Sequence, residues 1–81
     1  MPVTVRFFAA ARAATGTNVA HTSPGSLVAV TTALTVAYPD LASVLPRCSF
    51  LLNGVAVHGD PADVTIDDGS ELDVLPPFAG G

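Results

Sequence analysis

Ser26-Leu27-Val28-Ala29-Val30-Thr31-Thr32-Ala33-Leu34-Thr35-Val36-Ala37-Tyr38-Pro39 decides the fold, because it is the substantial helical stripe of the chain. Leu27, Val30, Leu34 and Ala37 or Tyr38 recur three or four residues apart, the spacing of one helix face. Ser26 offers a side-chain oxygen to cap the first turn, and Pro39 ends the run. Six residues of the stretch are Val or Thr, which lowers intrinsic helix propensity. Packing of the leucine stripe onto a sheet is therefore expected to supply most of its stability.

Upstream, Val3, Val5 and Phe7 alternate with Thr4 and Arg6, the two-residue period of a half-buried strand. The alanine-rich stretch from Ala9 to Ala14 predicts a short helical turn, stopped at Gly16, and Asn18 to Thr22 a second, weaker strand. Pro24-Gly25-Ser26 predicts a loop, with Ser26 at its end as the helix cap. Downstream, Asn53-Gly54 lies between Phe50-Leu51-Leu52 and Val55-Ala56-Val57, and this dipeptide readily takes the two positive φ angles of a type I′ hairpin turn. Asp67-Asp68-Gly69 marks another turn, after which Leu72 and Val74 alternate with Glu71 and Asp73 in a last strand leading into Pro76-Pro77.

Hairpin, helix, hairpin or short strands, then a last strand is the order of an α+β protein of the β-grasp, or ubiquitin-like, class. It predicts a mixed sheet of four to five strands with one main helix packed across it and the last strand beside the first. A ferredoxin-like fold would need two comparable helices, and one is visible. The expected organisation is a β-grasp domain over residues 1–76 and a flexible tail over 77–81.

Composition narrows the function. At 81 residues the chain is one domain, 49% apolar and 12% charged, far from a disordered composition. Seven acidic residues stand against three arginines and no lysine, for a formal charge of −4. Phosphate-backbone recognition needs clustered basic side chains, so no nucleic-acid partner is expected. The weakly polar stretch from Ser26 to Tyr38 is far short of the ~20 residues that span a bilayer, so no membrane segment is expected. Arg12 interrupts the Phe7 to Ala11 run that would imitate a secretory signal, and the single Cys48 precludes an internal disulfide. A cytoplasmic location is the expectation.

The chemistry is expected in the tail. After Leu75 the chain reads Pro76-Pro77-Phe78-Ala79-Gly80-Gly81. At the average glycine usage, two glycines at the terminus arise by chance in roughly 0.5% of chains. Lacking Cβ atoms, Gly80 and Gly81 can thread a narrow channel and leave the terminal acyl carbon unhindered. The prolines stop sheet pairing and favour an extended form, giving five residues a reach of about 15 Å. A carboxylate is a poor electrophile. Conversion to a mixed anhydride with AMP supplies a leaving group, and a sulfur nucleophile can then give a thiocarboxylate. The chain has no phosphate-cradling glycine loop, so no cofactor is expected to be bound, and ATP would be used by an activating partner.

Val5-Arg6-Phe7-Phe8-Ala9-Ala10-Ala11-Arg12, Asn53-Gly54 and Val74-Leu75-Pro76-Pro77-Phe78-Ala79-Gly80-Gly81 resemble the MoaD/ThiS sulfur-carrier family, and the MoaD branch most, the small subunit of molybdopterin synthase. The resemblance spans nearly the whole chain and is most specific at its two ends. It implies activation by an E1-like, MoeB-type adenylyltransferase and assembly with a large MoaE-type subunit, into whose active site the tail inserts. The chain would not be catalytic alone. Sulfur would pass to a pterin precursor in molybdenum cofactor biosynthesis, with the modified acyl group at Gly81 and Gly80, Ala79 and Phe78 as the tail preceding it. Phe78 departs from the aliphatic residue common at that position. Thiazole or cysteine synthesis is an alternative destination, and a ubiquitin-like protein modifier an alternative fate, since adenylation serves both.

The strand pattern points independently to a docking face. Phe8 and Leu75 lie on the opposite strand face from Val3-Val5-Phe7 and Leu72-Val74, so adjacent first and last strands would bring them together. Apolar residues exposed beside a functional tail suggest a partner patch, which Ala56 or Val57 would extend. Cys48 is expected to be structural. His21 and His58 lack a third ligand nearby, so no metal site is expected. Asp60, Asp63, Asp67 and Asp68 have the spacing of solvated turns rather than of a calcium loop.

Overall fold

In the computed structural model, which describes residues 1–77, strand β1 (Val3–Phe7) buries Val3, Val5 and Phe7 and turns Thr4 and Arg6 the other way. Two successive backbone events shape the next segment. Ala9 takes a φ of 51°, which turns the chain sharply out of the strand, and α1 (Ala9–Thr15) then runs until Gly16 closes it in the left-handed conformation at φ 72°. Strand β2 (Val19–Thr22) returns antiparallel to β1, with Val3 opposite Thr22 and Arg6 opposite Val19.

Helix α2 (Leu27–Ala37) buries Leu27, Val30 and Leu34, the stripe that its sequence predicts. Ser26 caps it as expected, its Oγ accepting the Ala29 N–H at 3.1 Å. The threonines contribute locally as well: Thr31 Oγ1 donates to the Leu27 carbonyl at 2.9 Å and Thr35 Oγ1 to the Thr32 carbonyl at 2.9 Å. Pro39 ends the α-helix but not the helical path, which continues as 3₁₀ turns over Pro39–Ser43 and Leu45–Arg47. These turns deliver Leu41 into the core, where it is completely buried.

Strand β4 (Ser49–Leu52) and the short β5 (Val55–Ala56) form the expected hairpin, with Asn53 at φ 49° and Gly54 at φ 83°. Asn53 does more than turn the chain. Its Oδ1 accepts the Glu71 N–H at 2.9 Å and its own N–H donates to the Glu71 carbonyl at 2.8 Å, tying the turn to the last strand. Asn53→Ala removes that acceptor and places a less tolerant residue at positive φ, for a cost of about 1–2 kcal/mol. The expected fall in the thermal midpoint is roughly 5–15 °C at this domain size, measurable by calorimetry.

Strand β7 (Glu71–Leu75) occupies the centre of the sheet, whose order is β2-β1-β7-β4-β5. It runs parallel to β1 (Val5 opposite Leu72, Phe7 opposite Val74) and antiparallel to β4 (Phe50 opposite Val74). The single parallel pair makes the sheet mixed, and α2 packs on one face of it. A second, two-stranded sheet joins β3 (Gly25–Ser26) to β6 (Thr65–Ile66), pinning the α2 entry to the chain before β7. Gly25 and Ser26 thus form strand structure where the sequence predicts a loop. The architecture is the β-grasp fold.

Candidate functional site

The site begins where β1 and β7 leave the sheet together. Beyond the last β1–β7 register pair, the Phe8 N–H donates to the Val74 carbonyl at 3.1 Å, so the parallel ladder continues one step and sets Phe8 beside Leu75. Both residues alternate away from the buried Phe7 and Val74, onto the sheet face opposite α2. Phe8 remains 38% exposed and Leu75 half-buried.

The strand registers extend this outer face. Leu51 lies opposite Asp73, Ala56 opposite Leu51, and Val19 opposite Arg6, so all three share the face with Phe8 and Leu75. Ala56 therefore sits with the patch. Val57, the residue after β5, is half-buried against the core and does not join it.

At the middle of the face is an ion pair that sequence reasoning missed. Arg6 Nε donates to Asp73 Oδ1 at 2.6 Å and its NH2 nitrogen to Oδ2 at 3.0 Å, a bidentate contact, while Glu71 stands 3.8 Å from the guanidinium. Asp73 is buried at 7% exposure. Its hydrogen bonds to Arg6, and its charge, hold the arginine pKa above its ordinary value. The signal was present in the alternation: Arg6 and Asp73 each precede Phe8 and Leu75 by two residues, so any register that joins one pair joins the other. The result is an apolar surface with a fixed, charge-compensated centre and an acidic margin at Glu71.

Beside this face, a groove of about 430 Å³ opens between the start of α1 and the turns that follow α2. Phe8, Ala10, Ala11, Val44, Cys48 and Pro77 are among the residues lining it. The Cys48 thiol donates to the Val44 carbonyl at 3.4 Å, and burial pushes its pKa up, so it is protonated at neutral pH. A larger hollow of about 700 Å³ lies between β2 and α2, lined by Ala20, His21, Ala33 and Tyr38, and has no connection with the root of the tail. Among the described residues no group of three or more His, Cys, Asp or Glu could hold a metal, and no helix is long and apolar enough to cross a membrane.

Phe78, Ala79, Gly80 and Gly81 lie outside the described residues. The structure fixes where they start: Pro76 and Pro77 come directly after β7 and line the groove next to Phe8. The tail thus originates at the junction of the apolar face and the groove.

Residues 5–81, through both terminal glycines, match the ThiS family. The chain belongs to the ThiS family. Its fold agrees with that of small archaeal modifier proteins and of a molybdopterin-converting factor chain solved elsewhere. Small archaeal modifier protein 1 (SAMP1) from Methanosarcina acetivorans is 28% identical with a TM-score of 0.83, over 99% of this chain and 96% of that one. The HVO 2177 protein of Haloferax volcanii is 32% identical with a TM-score of 0.79, over 100% and 87%. A chain of the complex of subunits 1 and 2 of molybdopterin-converting factor from Helicobacter pylori is 25% identical with a TM-score of 0.71, over 100% of both. No curated protein matches this ThiS-family chain at a significant level.

Proposed function

We propose that this protein carries sulfur as a thiocarboxylate on Gly81 and donates it in molybdopterin synthesis, as the small subunit of a two-subunit synthase. The observation that carries the proposal is the placement of the tail root at Pro76-Pro77, directly beside an exposed apolar face on the sheet side that α2 leaves open. A partner seated on that face receives the tail without any rearrangement of the domain. Family membership over residues 5–81 and the likeness to a chain of the Helicobacter pylori complex support the same assignment.

The proposed chemistry has two steps. A carboxylate oxygen of Gly81 attacks the α-phosphorus of ATP held by an E1-like, MoeB-type enzyme, giving acyl-adenylate and releasing pyrophosphate. Hydrosulfide then attacks the acyl carbon, the C–O bond to AMP breaks, and the thiocarboxylate forms with loss of one proton. The chain supplies the acyl group and the docking face, and the activating enzyme supplies the nucleotide site. A MoaE-type large subunit would then receive the tail.

Co-purification tests the destination. A MoaE-type subunit captured with the chain supports the molybdopterin assignment; a thiazole-synthesis or cysteine-synthesis enzyme in its place removes it. Docking on the outer face is tested by Phe8→Asp. A charge in place of the exposed aromatic ring beside the tail root is expected to weaken binding of the large subunit at least ~10-fold in titration calorimetry, with the domain still folded. An unchanged affinity would place the interface elsewhere.

The likeness to small archaeal modifier protein 1 favours a second reading, in which Gly81 forms an amide with amines of other proteins. The chain has no lysine, so chains built through its own lysines are impossible. Recovery of covalent conjugates from cells expressing the tagged protein would support this reading; recovery of unconjugated thiocarboxylate alone would remove it.

A further inference from the structure

The groove between α1 and the 3₁₀ turns adjoins the outer face through Phe8, which belongs to both. Its lining is mainly apolar and contains no carboxylate. One charged side chain stands in it, Arg47, exposed at the end of the second 3₁₀ turn. The fold treats the three arginines of the chain differently. Arg6, on the outer face, is neutralised by Asp73 in its bidentate pair, and Arg12 donates to Asn18 Oδ1 at 3.5 Å. The Arg47 guanidinium has no hydrogen-bond or ion-pair partner among the described residues. The outer face therefore needs no anion from whatever covers it, and the groove does. A surface that closes over Arg47 strips water from a charge, which is unfavourable unless that surface brings a carboxylate with it.

We propose that the groove takes a segment of the large subunit that carries an apolar side chain next to a carboxylate, the side chain against Phe8, Val44 and Cys48 and the carboxylate on Arg47. The proposal rests on the carrier reading above, because it names the chemistry that the same partner needs one step beyond the outer face. Two observations select this occupant. Phe8 joins the two surfaces, so a partner seated on the outer face reaches the groove without a gap. The unpaired guanidinium then fixes the sign of what enters. Pro76 and Pro77 also line the groove, so the seated segment touches the root of the tail and sets the point from which the tail leaves the domain.

The test uses the full chain, its Arg47→Glu, Arg47→Lys and Ala56→Asp variants, and the MoaE-type large subunit. In titration calorimetry at low ionic strength, Arg47→Glu is expected to weaken binding at least ~10-fold and Arg47→Lys no more than ~3-fold, with the difference shrinking as sodium chloride is raised. Cys48 is expected to react with iodoacetamide several-fold more slowly in the complex than in the free chain, because the seated segment covers the groove. Backbone amide shifts in β1, β7 and α2 should be the same in the free parent and the free Arg47 variants, showing that the fold is intact. Ala56 lies on the outer face and outside the groove, so Ala56→Asp separates the two surfaces. Weakened binding by Ala56→Asp, together with parental affinity of Arg47→Glu or an unprotected Cys48, overturns the groove proposal and leaves the docking face standing. Absence of any binding by the parent chain overturns both. Protection of Cys48 on concentrating the chain alone would make a second copy the occupant, and also overturns the proposal.

Discussion

Deleting Gly81 alone is expected to abolish thiocarboxylate formation while leaving the thermal midpoint unchanged. One residue of extended chain spans about 3.3–3.6 Å, so the shortened tail presents its carboxylate that far short of the activating site. Reacting atoms need to approach to about 3–3.5 Å, and a misplacement near 1 Å already costs on the order of a hundredfold. The expected loss is therefore more than a hundredfold, equivalent to upwards of ~2.7 kcal/mol of barrier. Stability should not change with it, because the core contribution of the last strand closes with Leu72 and Val74, both completely buried. Intact mass after activation reads the first effect and calorimetry the second. Acyl sulfur on the shortened chain at the parental rate would show that the terminal residue is not the acyl donor.

Phe7 and Phe8 are adjacent, chemically identical and expected to behave oppositely. Phe7 is 1% exposed and meets Tyr38 edge to face, with ring centroids 5.9 Å apart and planes at 73°, which locks β1 to the end of α2. Truncating such a side chain costs about 3–5 kcal/mol. A domain of 81 residues has roughly 4–12 kcal/mol in total, so Phe7→Ala should lose a large share of its stability and lower the urea midpoint accordingly. Phe8→Ala, on the opposite face, should change stability by no more than ~1 kcal/mol, and affect partner binding instead. Equal destabilisation by the two variants would mean that the outer face is not an available surface.

Much of this arrangement is legible in the chain because it rests on short-range chemistry. Alternation fixes Val3, Val5 and Phe7 as core, Ser26 announces the start of α2, and Asn53-Gly54 announces a hairpin whose positive φ angles few other dipeptides accept. The break in alternation at Phe8 and Leu75 locates the outer face. The features that the pattern does not reveal depend on partners far along the chain. Leu41 enters the core from a 3₁₀ turn with no repeating period, and Gly25–Ser26 becomes a strand only because Thr65–Ile66 lies alongside. The Arg6–Asp73 pair spans 67 residues and becomes visible once the parallel register is known. Ala56 and Val57 stand as alternatives in the sequence because the end of β5 is not marked there; the Leu51–Ala56 register places Ala56 on the outer face, while Val57 packs against the core. The tail residues 78–81 lie outside the described residues, and the chemistry proposed for them is argued from the glycine pair and the ThiS-family match.

Such a protein succeeds or fails as a carrier by what happens at a single acyl carbon. Intact-mass spectrometry of the full chain, incubated with ATP, an E1-like adenylyltransferase and a sulfide source, tests that most directly. The predicted product has one sulfur in place of one oxygen, localised by fragmentation to Gly81 and absent when ATP is withheld. An unmodified chain under conditions where the enzyme demonstrably consumes ATP with it, or sulfur found on Cys48 instead, would contradict the account.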